Sequence, residues 1–145
     1  MFTLDANIFV RDADPRDPDH TVCHTLLELL ATTPVVIVEP LIVLAEVAGA
    51  LSRELRDPMR GRIVTELLLA LPNVQFVPID ERLARAAADV AADHGLRGMD
   101  ALYVAVAQDY GTTLVTLDGE PRRRAAAVVT TMTPAEAIRE LNMQS

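Results

Sequence analysis

The sequence has 145 residues, half of them apolar, with a formal net charge of −8 and a single cysteine, Cys23. That length supports a core without disulfide or metal staples, and a lone cysteine excludes an intrachain disulfide. The acidic balance argues against holding nucleic acid by cationic neutralisation alone, unless acids converge on one cleft and bind divalent cations there. All 13 basic residues are arginine, which excludes chemistry that needs an amine nucleophile or a tunable amine base.

The opening MFTLDANIFV shows no basic region ahead of an apolar segment. The longest apolar stretch, Pro40 to Leu51, is interrupted by Glu46 and is too short to cross a bilayer. The expectation is a soluble cytoplasmic protein with no membrane partner. Phe2 to Leu4 reads as a short strand ending at Asp5, followed by Ala6, Asn7 and the apolar Ile8, Phe9 and Val10. Arg11 to Asp19, with two prolines and four acids, reads as an exposed loop. It lacks the central glycine and the closing glutamate of a calcium loop.

A helix is predicted from about Asp19 to Leu30, carrying His20, Cys23 and His24. Their spacing suits zinc, but no second ligand pair accompanies them, so two histidines on a solvated face and one packed thiol is the simpler reading. Val35 to Val38 is a second buried strand, and Pro40 suits the first position of a helix running to about Leu55. Glu46 stands out between LIVLA and VAGAL, where a carboxylate needs solvent or a partner. Gly49 is placed to allow close helix packing. Arg53, Arg56, Arg60 and Arg62 surround a break at Asp57 and Pro58, either as a solvated face pairing with Glu54 and Glu66 or as phosphate contacts.

Another helix reaches Leu71, and Val74 to Ile79 is a third strand. A helix from Glu81 to His94 is capped by Asp80 and stopped by Gly95. Asp100 then opens ALYVAVA, a buried helix by its length and composition, so its carboxylate lies in the first turn, where an anion is favoured. Gly111 ends that helix, Thr112 to Thr116 reads as an interior strand, and Asp118 falls just past it. Gly119 to Arg124 reads as a short basic turn, Ala127 to Thr130 as a last strand, and Thr133, Pro134 and Glu136 as the start of a terminal helix.

Strands alternating with helices predict an α/β sandwich with a mostly parallel sheet. Asp5 and Asp118 then meet at one edge if their strands are neighbours, and Asp100 faces the same crevice if its helix begins there. Four converging acids without lysine would imply a hard divalent cation, since like charges raise one another's pKa unless a cation neutralises them.

The spacing of LDANIFV, AEV in the second predicted helix, RGMDALYVAVA and LVTLD resembles the PIN domain family. Size and layout resemble the VapC toxins of bacterial toxin–antitoxin pairs, over essentially the whole chain. The resemblance implies one domain over residues 1–145, a PIN-like three-layer α/β/α sandwich with a mostly parallel central sheet. It implies that Asp5, Glu46, Asp100 and Asp118 are the catalytic, metal-binding acids, with Asn7 and Thr116 as supporting polar positions. It further implies Mg²⁺ or Mn²⁺ as cofactor, endoribonuclease activity on RNA, an antitoxin that inserts into the acidic cleft, and a homodimer. Whether Glu120 helps bind a second metal is open.

Arg97, Arg122, Arg123 and Arg124 are candidate RNA-backbone contacts or plain surface charge. An RNA-processing nuclease outside toxin–antitoxin systems and a non-catalytic PIN-fold module are the alternatives. Phosphoaspartate enzymes and receiver domains also place an aspartate after the first strand, but they need the lysine this chain lacks.

Overall fold

Short strands separated by long helical segments cannot pair as hairpins, so each returns to the sheet through a crossover and lies parallel to its neighbour. In the computed structural model, which describes residues 1–144, five strands form: β1 (Phe2–Leu4), β2 (Ile37–Pro40), β3 (Val74–Val77), β4 (Thr113–Val115) and β5 (Thr131–Met132). Every pairing is parallel, in the order β3-β2-β1-β4-β5. The helices among these residues are α1 (Ala6–Asp12), α2 (His20–Thr32), α3 (Val43–Leu55), α4 (Pro58–Leu69), α5 (Glu81–His94), α6 (Gly98–Tyr110), α7 (Gly119–Ala125) and α8 (Pro134–Gln144).

Right-handed crossovers set α1 to α4 against one sheet face and α5 to α7 against the other. Consistent with that, α2 packs on α1 and α8, while α6 packs on α5, α7 and the strands β1, β2 and β4. The predicted α/β/α sandwich is the fold. Leu4, Ile8, Leu26, Leu30, Ile37, Leu51 and Leu83 are its largest solvent-free apolar residues. Helix α6 buries Ala101, Tyr103, Val104, Ala105, Val106 and Ala107, which surround most of its circumference. Its small side chains let it lie close to the central strands, as the ALYVAVA composition predicts. Among the described residues no helix is long and apolar enough to cross a membrane.

The caps read from sequence are in place. The Asp80 carboxylate accepts the Leu83 N–H at 2.8 Å, and Gly95 and Gly111 end α5 and α6 with φ of 64° and 63°. Glu136 accepts the Thr133 N–H at 2.7 Å, completing a capping box. Cys23 is fully buried, its thiol pushed up to about 12 by desolvation.

Several boundaries differ from expectation. Ala6–Asp12 is helical where no helix is predicted, because Asp5 caps it and Ile8, Phe9 and Val10 are all buried; at 7 residues it is too short to display a helical period. Strand β2 lies two residues later than predicted and ends on Pro40, so α3 starts at Val43. A proline spares an N–H equally well at a strand end and at a helix start, which makes the two readings equivalent locally. Gly119–Ala125 is helical because Pro121 lies in its first turn, where no N–H is needed. The last strand accordingly begins later, at Thr131.

His20 and His24 stack at 5.3 Å, and His24 pairs with Asp12 at 2.7 Å, an arrangement of ring and carboxylate with no metal cage. Glu54 pairs with Arg11 at 3.3 Å, not with the arginines around Pro58, and Arg60 donates to the Ala13 carbonyl at 3.0 Å.

The close helix contact belongs to Gly61, not Gly49. A Cβ on Gly61 would lie 2.7 Å from the Ala48 carbonyl oxygen, whereas at Gly49 it meets only the mobile end of Arg53. Gly61→Ala is therefore expected to force α4 off α3 and destabilise the fold by about 1–3 kcal/mol in a denaturant melt. Gly49→Ala serves as the near-neutral control.

Candidate metal centre

The strand order reverses between β1 and β4, and an open parallel sheet keeps its crevice outside the strand ends at such a point. Asp5 is the residue after β1 and Asp118 stands three after β4, so both carboxylates reach this crevice. The Asp5 N–H bonds the Val115 carbonyl at 2.9 Å, tying the two strand ends together. The Asp5 side chain accepts the Thr116 hydroxyl at 2.8 Å and the Asn7 N–H at 3.5 Å. The Asn7 amide in turn donates to Asp118 at 3.1 Å, and Thr116 Oγ1 accepts the Asp118 N–H at 3.2 Å. Asn7 and Thr116 thus link one acid to the other.

Asp100 enters from the first turn of α6, whose start faces the same crevice; it lines one cleft with Asp118 and another with Asp5. Glu46 arrives in the first turn of α3, because the helix starts at Val43 and not at Pro40. The Tyr103 hydroxyl donates to Glu46 Oε1 at 2.6 Å.

Burial raises the Asp5 carboxyl to about 6, against the bonds from Thr116 and Asn7 and with further repulsion from Asp118 and Asp100. Burial also raises Glu46 and Asp100; Asp100 adds repulsion to the first and Asp118 to the second, while Arg97 partly relieves Asp100. These mutual effects link Asp5, Glu46, Asp100 and Asp118 as electrostatic neighbours.

A sequence model described as the PIN domain matches residues 2–127. The chain belongs to the PIN domain family. No curated protein matches the sequence. The PIN backbone is similar to that of VapC20 from Mycobacterium tuberculosis, a sarcin-ricin loop cleaving toxin, with TM-score 0.72 and 21% identity over 89% of this chain and 97% of that one. It is similar to FitAcB from Neisseria gonorrhoeae, with TM-score 0.69 and 22% identity over 93% and 99% of the two chains. A toxin–antitoxin complex from Klebsiella pneumoniae gives TM-score 0.66 and 21% identity over 92% and 98%.

Asp5, Glu46, Asp100 and Asp118 present oxygen donors only, and the raised pKa values of Asp5, Glu46 and Asp100 mark charge that the protein leaves uncompensated. Among the described residues, however, no three acid, histidine or cysteine side chains are gathered tightly enough to grip an ion unaided. Mg²⁺ keeps several of its waters and takes one or two carboxylates directly. Oxygen donors of this kind suit a hard divalent cation, and no nitrogen or sulfur ligand stands among the four.

The predicted arginines divide. Arg97 and Arg124 line a polar cleft of about 500 Å³ with Asp100 and Asp118. Arg124 is engaged there, donating to the Gly95 carbonyl at 2.9 Å and pairing with Glu120 at 2.7 Å. That pairing turns Glu120 toward its own helix partner. Arg122 pairs with Glu136 at 3.5 Å on the side of α8. A second, apolar groove of about 490 Å³ lined by α1, α2 and α4 lies apart from these four acids.

Two residues beside the PIN crevice escape the sequence reading. Tyr103 is hidden in an apolar helix, where an aromatic ring reads as core. Glu39 is a fully buried acid in β2. Its Oε1 accepts the Leu4 N–H at 2.6 Å, while its Oε2 has no hydrogen-bond partner. Burial raises its pKa well above the ordinary carboxylate range, partly offset by the Leu4 N–H and reinforced by Asp5 and Glu46. A buried oxygen without a partner costs about 1–3 kcal/mol. The available signal is the one that exposes Glu46, an acid inside an otherwise apolar run, VVIVEP.

Proposed function

We propose that the chain is a metal-dependent endoribonuclease, the toxin of a toxin–antitoxin pair, with Asp5, Glu46, Asp100 and Asp118 holding Mg²⁺ or Mn²⁺. The observation that carries this reading is the meeting of buried, mutually repelling carboxylates at the switch point of a PIN fold, with no lysine in the chain to neutralise them. When bound, the ion lowers the pKa of a water and neutralises charge on a phosphodiester.

The protein's own residues supply position. Thr116 and the Asn7 N–H fix the Asp5 carboxylate, the Asn7 amide fixes Asp118, and the Tyr103 hydroxyl fixes Glu46. Arg97 lines the polar cleft and would offer its guanidinium to an RNA phosphate there, and Arg124 braces the turn at Gly95. Water attack at phosphorus with cleavage of the P–O3′ bond, O3′ leaving and taking up a proton, would give a 5′-phosphate and a 3′-hydroxyl. The toxin role and the antitoxin partner draw support from the folds it is similar to, one a sarcin-ricin loop cleaving toxin and another solved as a toxin–antitoxin complex.

The test is incubation of purified protein with a structured RNA in Mg²⁺ or Mn²⁺. Cleavage to 5′-phosphate fragments that EDTA stops and added metal restores is expected. Cleavage unaffected by EDTA, or fragments ending in 2′,3′-cyclic phosphate, would overturn the reading.

A further inference from the structure

The centre of the sheet contains a substitution of side chains for backbone. Strand β1 pairs with β4 at Phe2, Thr3 and Leu4, but with β2 only through Phe2 and Ile37. After the Phe2 N–H bonds the Val36 carbonyl at 3.1 Å, a continuing parallel ladder would direct the Leu4 N–H to the Val38 carbonyl. It would also ask Pro40 for an N–H that proline lacks. Instead, the Thr3 hydroxyl donates to the Val38 carbonyl at 2.8 Å, and the Leu4 N–H goes to Glu39 Oε1 at 2.6 Å. Two side chains occupy the place of the last rung.

Leu4 immediately precedes Asp5. On the β4 side the Asp5 backbone and carboxylate are held by Val115 and Thr116. On the β2 side, the Glu39 carboxyl holds the segment through Leu4. An aliphatic residue at position 39 would fill the same buried space without an unpartnered oxygen. The acid must therefore be explained by what it holds.

We propose that Glu39 is a positioning residue for the crevice: its carboxyl oxygen replaces the missing rung at Leu4 and fixes the backbone that presents Asp5. The need is for an acceptor at that point, not for a charge. Glutamine supplies the same acceptor; leucine fills the volume without one. The inference rests on the reading of Asp5 as a metal ligand, and the test separates the two.

In wild-type protein, NMR is expected to show a slowly exchanging Leu4 amide and a scalar coupling across the hydrogen bond from its nitrogen to the Glu39 carboxyl carbon. Glu39→Gln should keep the protected amide, the Asp5 carboxyl carbon shift and the Mn²⁺ affinity measured by calorimetry. Glu39→Leu should expose the Leu4 amide, move the Asp5 signal and weaken Mn²⁺ binding by about 10- to 100-fold, the range for groups that orient metal ligands. Glu39→Leu with wild-type Leu4 protection and Mn²⁺ affinity would overturn the proposal. So would Glu39→Gln as impaired as Glu39→Leu, since charge would then be the requirement. Should Glu39→Leu fail to fold, an absent coupling and a fast-exchanging Leu4 amide in the wild type would overturn it as well. If the wild type takes up no Mn²⁺, the metal reading fails, while the Leu4 and Asp5 signals still decide the role of Glu39.

Discussion

Asp100→Asn is expected to lower metal-dependent RNA cleavage by about 10²- to 10³-fold, the size of effect seen when one fixed electrostatic partner of a transition state is removed. The same substitution should raise the melting temperature of the metal-free protein. Asp100 is desolvated and repelled by Asp118, with only Arg97 in partial relief, so ionisation there opposes folding. Asparagine keeps the shape and removes the charge. Opposite signs for activity and stability distinguish a functional acid from a structural one, whose loss would lower both. Cleavage rates and calorimetric melts of one preparation, with Asp89→Asn on α5 as control, check the pair of outcomes; a variant equal to wild type in cleavage would exclude Asp100 from the site.

The second large effect is a pH-dependent stability that divalent metal reverses. The Asp5 carboxyl is raised from 3.8 unfolded to about 6 folded, chiefly by burial. The native state therefore binds more protons than the unfolded chain between those values. The stability contributed by Asp5 is fully present below the unfolded pKa and is lost as pH rises through about 6. The loss is on the order of 2–3 kcal/mol. Glu46 and Asp100 shift in the same direction and add to it. Glu136, lowered by its bonds to Thr133, acts oppositely and weakens the protein at acid pH. Millimolar Mg²⁺ should raise the melting temperature at pH 7.5 far more than at pH 5, since ions bind the ionised carboxylates. A metal-induced shift equal at both pH values would contradict this linkage, and Asp5→Asn should flatten the metal-free profile between about pH 4 and pH 6.

Both expectations depend on acids whose positions along the chain were readable before their positions in space. Asp5 and Asp118 declare themselves as aspartates just beyond strand-like runs, and Asp100 as an acid opening a buried helix. Their convergence needs the adjacency of β1 and β4, which strand order supplies and a linear pattern does not. Glu46 was legible as an anomaly, yet its place in the first turn of α3 depended on whether Pro40 closed a strand or opened a helix. Helices α1 and α7 were illegible for different reasons. One is too short to show a period around its consecutive Ile8, Phe9 and Val10, and the other begins with glycine and carries a proline, both of which read as turn. Glu39 stayed hidden because its partner, Leu4, lies 35 residues away.

Strand β1, which leads into Asp5, precedes the other four described strands in sequence and sits at the centre of the sheet, while Thr116, which holds the Asp5 carboxylate, comes 111 residues later. Contacts so distant in sequence form late, after the entropy of closing a long loop has been overcome. A chain emerging from the ribosome thus carries a disassembled crevice until β4 has been synthesised and has docked beside β1. Truncated or stalled products that end before β4 lack both Asp118 and the hydroxyl that steadies Asp5. For the proposed ribonuclease, the fold's connectivity delays activity until β4 and Asp118 have been made and docked.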